Sequence, residues 1–190
     1  MLQPFRPLLI EIRGNRELRN LATVEAAGMP HRLKGNRQVC AFYANELLMR
    51  LVVRDDPHPH LYDEYKLLLG KLEDEDHYES ALRYFELVVL EELGYGLNLT
   101  EEYLTGLSIK EGEWYRYRPE EGARRVEAAE SDYPVVSGET LLKLRERRLD
   151  TNQSQREAKL LLKNILSHYL GDKPLKSREL YVSSKKLQNC

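Results

Sequence analysis

Near Gln38 the apolar residues of this chain stop alternating and begin to recur every three to four positions. A short β segment must therefore lead into a helical body. In Arg6 to Arg13, Leu8, Ile10 and Ile12 fall on one face of a strand. Gly14 and Asn15 supply turn chemistry, and Leu18, Leu21 and Val24 carry a second, less strictly alternating run to Ala26. For that second run both a bulged strand and a helix remain open. Two strands alone bury too little to be stable in water, and the rest of the chain offers them no obvious β partners.

Beyond Gln38 the spacing predicts three helices with short connections, hence antiparallel neighbours in a bundle. The first carries Cys40, Tyr43, Leu47, Leu48 and Leu51 inward and ends before Asp55-Asp56-Pro57. Pro59 opens the second, with Leu61, Tyr65, Leu68, Leu69 and Leu72 inward, and the acidic run Glu73 to Asp76 closes it. The third starts near Ser80, buries Leu82, Phe85, Val89, Leu90 and Leu93, and stops at Gly94. Trp114 to Arg118 and Ala123 to Glu127 read as a hairpin across Pro119 to Gly122. Ser137 caps a short helix through Leu149. Residues 153–170 make a last helix, with Ala158, Leu161, Leu162, Ile165, Leu166 and Tyr169 inward and Gly171 as its stop. The expected fold is mainly α: a helical bundle with a small β-hairpin insertion, preceded by a two-strand β segment.

Composition narrows the function classes. The 190 residues are 42% apolar and 32% charged, enough for a packed core. No apolar run approaches the roughly 20 residues of a membrane span, and no secretory signal opens the chain. Cys40 and Cys190 are the only cysteines, too few for a thiolate zinc site or a disulfide framework. A reduced, soluble, cytoplasmic protein is expected. The net charge of −2 conceals a pattern: residues 1–54 carry +5, 55–102 carry −11, 103–155 carry −1 and 156–190 carry +5. Such asymmetry suits a molecule that turns one face to a polyanion, though charged helix faces also vary without function.

Candidate chemistry is sparse. Asp55, Asp56, His58 and His60 could ligate a metal, and a hydrolase built on that loop is the one concrete enzymatic reading. No further His or Cys cluster completes the set, because His31, His77 and His168 are scattered. A plain helix-to-helix connection is the preferred reading. No nucleophile elbow, phosphate loop or metalloprotease helix is present. Gly94-Tyr95-Gly96 follows a helix instead of opening one, so it reads as a stop with an aromatic packed behind it. On the hairpin, Trp114, Arg116 and Arg118 share one face, which suits single-stranded nucleic acid as well as an ordinary half-buried sheet. Arg83 is a lone cation on the third helix. It reads as a salt-bridge partner or, in a groove, as a clamp for a peptide carboxylate.

Six strings in order resemble the bacterial RecO family of DNA repair proteins. They are Leu2-Gln-Pro-Phe-Arg-Pro-Leu8, Tyr43-Ala-Asn-Glu-Leu-Leu48, Asp56-Pro-His-Pro59, Ala81-Leu-Arg-Tyr-Phe-Glu-Leu87, Leu93-Gly-Tyr-Gly96 and Lys173-Pro-Leu-Lys-Ser-Arg-Glu-Leu180. The resemblance implies that residues 1–29 are the C-terminal remnant of an OB-fold barrel, with 30–180 the RecO-type helical domain and 181–190 a disordered basic tail. The barrel's first strands are absent from the chain, which looks truncated. Local disorder, or pairing with a second chain, is then expected around residues 6–26.

The resemblance further implies a non-enzymatic recombination mediator, cytoplasmic and nucleoid-associated, with no membrane contact and no cofactor. Its expected partners are single- and double-stranded DNA, the C-terminal tail of single-stranded DNA-binding protein (SSB), and RecR, with a functional link to RecA loading. Arg83 is expected to clamp the SSB tail, with Leu69, Leu72 and Leu82 as the pocket wall between the second and third helices. Arg13, Arg16 and Arg19 in the first basic segment and Lys173, Lys176 and Arg178 in the last are expected to meet DNA phosphates. The four-cysteine zinc site of some relatives is not expected, since no cysteine lies between Cys40 and Cys190. The alternative is a purely protein-binding module whose DNA binding went with the barrel.

Overall fold

The computed structural model describes residues 2–14, 19–74, 78–127, 135–171, 173–177 and 179–180. Strands β1 (Leu8–Arg13) and β2 (Asn20–Ala26) form an antiparallel ribbon, paired from Leu8↔Ala26 to Arg13↔Asn20. Of the two readings left open for residues 17–26, the bulged strand is the observed one over Asn20–Ala26, while Glu17 and Leu18 lie outside the described residues. Glu11 faces Thr23 and Ile12 faces Leu21, so Ala22 is the extra residue. This ribbon has no third strand among the described residues. Leu9, Ile10, Ile12 and Leu21 are all about half or more exposed. A two-strand sheet with an uncovered apolar surface fits the remnant of an OB-fold barrel.

The ribbon is nonetheless anchored. Ala27 donates its amide to the Pro7 carbonyl at 3.0 Å, and His31 to that of Phe5 at 3.0 Å. Phe5 is buried against Phe42, with ring centroids 5.0 Å apart.

Three helices follow: α1 (Asn36–Leu51), α2 (Pro59–Asp74) and α3 (Tyr78–Glu92). α3 is buried on most sides and joins two cores. Leu82, Phe85, Val88 and Val89 pack with Ala41, Ala44, Leu61, Leu68, Leu69 and Leu72 in one core. Leu90 belongs to the other, with Leu47, Tyr115, Tyr117, Leu141, Leu144 and the apolar face of α5 (Asn152–Leu170). Each fully buried leucine or phenylalanine contributes on the order of 1.5–3 kcal/mol relative to an exposed one.

The insertion is larger than a hairpin. Strands β3 (Trp114–Arg118) and β4 (Gly122–Val126) pair as expected, and β5 (Val135–Ser137) adds a third strand on the far side of β3. A three-residue strand carries too little alternation to be read from sequence. Ser137 ends β5 and caps α4 (Gly138–Arg145), its hydroxyl accepting the Thr140 amide at 3.2 Å. The helix stops short of the expected Leu149 because Arg147, with φ 55°, leaves the helical backbone. Thr151 and Ser154 form a reciprocal capping box at the start of α5, and Gly171, with φ 68°, closes that helix. Tyr95 stacks on Tyr169 with centroids 4.0 Å apart, so the Gly-Tyr-Gly string is a helix stop with a packed aromatic.

Residues 173–177 lie against the body. Glu46 of α1 accepts the amides of Lys176 and Ser177, each at 2.9 Å, and the Ser177 hydroxyl at 2.6 Å. Arg50 donates to the carbonyls of Leu170 and Lys173 at 2.8 and 2.7 Å. Leu175 and Ser177 are thereby buried.

Candidate functional site

A groove of about 320 Å³ opens between α1, α3 and α5. Val39, Cys40 and Tyr43 of α1 and Leu82 of α3 supply apolar walls. Arg83 of α3 and Lys159 and Lys163 of α5 bring three cations to the same groove, against the single carboxylate of Glu79. Helix geometry makes this possible: Gln155, Lys159 and Lys163 are four residues apart, so α5 turns one polar stripe to the groove while Ala158, Leu162 and Ile165 face the core.

Arg83 is held from behind. Its guanidinium meets the Glu86 carboxylate at 2.8 Å, and Glu86 is fully buried. Tyr43 donates its hydroxyl to the other Glu86 oxygen at 2.6 Å. A carboxylate in such a place must be paired, and here one side of the guanidinium and a phenol do so. Arg83 itself is only 11% exposed, and a guanidinium has five N–H donors, more than one ion pair engages. Arg83 is thus a salt-bridge partner, the first of its two sequence readings, and it also lines a groove. Burial pushes the Cys40 thiol up to about 11, partly offset by the charge of Arg83.

The groove is not where the sequence placed its wall. Leu82 lines it, but Leu69 and Leu72 are sealed inside the core shared by α1, α2 and α3 and do not reach it. The apolar spacing of α2 marked them correctly as inward; α5, remote in sequence, supplies the second wall. The signal for Lys159 and Lys163 was present as their four-residue spacing beside an apolar stripe.

The residues expected at DNA divide. Arg13 pairs with Glu11 at 3.0 Å and Arg19 with Asp55 at 2.7 Å, and all four are well exposed. Lys173 and Lys176 are exposed on the segment docked by Glu46 and Arg50. Arg16 and Arg178, like the tail 181–190, lie outside the described residues. The two sets stand on separate elements, the ribbon and the C-terminal segment.

The histidine loop forms a clasp. His58 and His60 both reach the Glu92 carboxylate, at 3.3 and 2.8 Å, tying the start of α2 to the end of α3. Among the described residues no group of three or more His, Cys, Asp and Glu side chains is arranged to hold a metal. No helix among them is long and apolar enough to cross a membrane.

Comparison with known proteins places this architecture. The family model described as "Recombination protein O C terminal" matches residues 32–179. The DNA repair protein RecO of Methylococcus capsulatus is 46% identical over 184 residues, covering 97% of this chain and 75% of that protein. The namesake from Nitrosococcus oceani is 42% identical over 189 residues, with 100% and 77% covered. That of Coxiella burnetii (strain RSA 493 / Nine Mile phase I) is 42% identical over 179 residues, with 94% and 77% covered.

Proposed function

Given that this chain belongs to the RecO family of DNA repair proteins, we propose that it is a non-enzymatic recombination mediator whose groove between α1, α3 and α5 receives the tail of SSB. That tail is short and acidic and ends in an aromatic residue and a free carboxylate, as the family resemblance implies. The observation that carries the reading is the meeting of apolar walls with Arg83, Lys159 and Lys163 in one groove. An aromatic side chain would bury against Leu82, Val39 and Tyr43 while Arg83 takes the terminal carboxylate. Lys159 and Lys163, at the exposed rim, steer the acidic residues and add to the association rate more than to the bound state.

Recruitment by SSB serves the further roles proposed from the family: binding and annealing DNA strands and, with RecR, helping to load RecA. Annealing requires a basic surface that offsets phosphate repulsion. Arg13, Arg19, Lys173 and Lys176 are accessible for it. Leu69 and Leu72 support the groove at one remove, by packing α2 against α3.

A second reading, a protein-binding module without useful DNA affinity, is favoured by one observation. Arg13 and Arg19 are already neutralised by Glu11 and Asp55. Titration of a fluorescent SSB-tail peptide tests the recruitment reading, and the same titration with a single-stranded oligonucleotide separates the two. A steep loss of oligonucleotide affinity with salt supports the mediator; no oligonucleotide affinity supports the module.

A further inference from the structure

The outer face of the insertion sheet carries a second cationic site. Arg116 of β3 and Arg124 of β4 are directly opposite each other in the antiparallel register. Their side chains leave the sheet on the same face, and like charges so placed destabilise a strand pair. Among the described residues neither makes a hydrogen bond or ion pair with a carboxylate, and the Nε of Arg116 is buried with no partner. The neighbouring cations differ: Arg125 has Glu102 and Glu113 at 3.8 and 3.9 Å, and Arg118 has Glu121 at 3.5 Å. Both arginines line an open polar depression of about 560 Å³ together with Glu113, Arg125, Val126 and Glu127. Glu113 is the one already paired with Arg125, and exposed Glu127 makes no ion pair with either arginine.

An opposed guanidinium pair with an unmet buried donor is the arrangement that a tetrahedral oxyanion completes, since each fork can donate to phosphate oxygens. Trp114, two residues before Arg116 and so on the same face, is half-buried and flanks the pair. An indole beside paired guanidinium groups adds a stacking surface that a free phosphate would not use.

We infer that Arg116 and Arg124 bind a phosphate of single-stranded nucleic acid, with Trp114 stacking on an adjacent base. The inference rests on the DNA-repair reading but places the contact on the insertion sheet, away from both basic termini and from the Arg83 groove.

The test uses the full 190-residue chain. Wild type and the Arg116→Gln/Arg124→Gln double variant are titrated with an oligothymidylate at several salt concentrations. Trp114, the single tryptophan, serves as an intrinsic reporter. Loss of this one phosphate contact should lower the slope of log K against log salt by about 0.7 and weaken binding about tenfold or more at low salt. Quenching of Trp114 by the oligonucleotide should disappear, while inorganic phosphate alone should leave the wild-type fluorescence unchanged.

Removing the repulsion should leave the melting temperature of the double variant unchanged or raised, and its binding of the SSB-tail peptide intact. Equal slopes and equal quenching in both proteins would overturn the inference and leave the family reading standing. A melting temperature that falls with the affinity would overturn it too, because the arginines would then be structural. Wild type that binds no oligonucleotide at all, with the peptide still bound, would overturn it together with the DNA-binding part of the proposed function.

Discussion

Tyr43 donates its hydroxyl to Glu86 at 2.6 Å, and through that bond a residue on the first helix fixes an ion pair on the third. The bond is short, charge-assisted and made to a fully buried carboxylate. Arg83 keeps its place at the groove because Glu86 cannot turn away. Tyr43→Phe keeps the ring and removes only the donor, and should destabilise the fold by about 1.5–3 kcal/mol in denaturant unfolding. It should also weaken tail-peptide binding, whereas loss of stability without loss of binding would mean that Arg83 needs no such support.

Glu46 governs the docking of residues 173–177. Burial raises its pKa, but the hydroxyl and amide of Ser177, the amide of Lys176 and the charge of Arg50 outweigh that, and the carboxyl titrates below its ordinary range. The sign follows: a lowered carboxylate stabilises fully above its unfolded value and loses that contribution as pH falls through its folded value. Glu46→Gln should therefore speed amide exchange of Ser177 by about tenfold or more at neutral pH. The variant should also lose the wild type's weakening of the segment on acidification. Unchanged exchange at Ser177 would show that Arg50 and buried Leu175 hold the segment by themselves.

Gly138, the first residue of α4, allows no side chain. A Cβ there would stand 1.9 Å from the carbonyl oxygen of Lys110 and 2.7 Å from its carbon, both backbone atoms. The amide of Gly138 meanwhile donates to the Glu113 carbonyl at 2.9 Å. Gly138→Ala must push two backbone segments apart and should cost about 3 kcal/mol or more, read as a fall in melting temperature. A fall of only a degree or two would mean that the loop before β3 yields freely.

Cys40 offers a chemical footprint of the groove. With its thiol pushed up to about 11, its thiolate fraction at neutral pH lies about two orders of magnitude below that of an ordinary cysteine. In a Cys190→Ser background, alkylation should be slow and should slow further when the tail peptide is bound. A rate indifferent to saturating peptide would place the peptide elsewhere.

Local chemistry was the most legible part of the fold. Pro59, Ser137 and Gly171 mark helix ends by mechanisms that act within a few residues, and each is found at that task. Leu68, Leu72, Phe85, Leu162 and Ile165 repeat at helical spacing and are all buried. β5 escaped because three residues cannot display a period, and pairing with β3 decides it. The groove was half legible. Arg83 and Leu82 stand where a lone cation beside an apolar stripe suggested, but the sequence neighbour α2 was a poor guide to the opposite wall. Packing of α3 against α5, some seventy residues apart, sets that wall, and no local pattern encodes it.

The central claim is that the groove binds an acidic, aromatic-ended peptide tail through Arg83. Fluorescence anisotropy with a labelled SSB C-terminal peptide, comparing wild type and Arg83→Ala, tests it most directly. Micromolar wild-type binding that weakens about tenfold or more in the variant is the predicted result. Equal affinity in the two folded proteins, or none in the wild type, would contradict it.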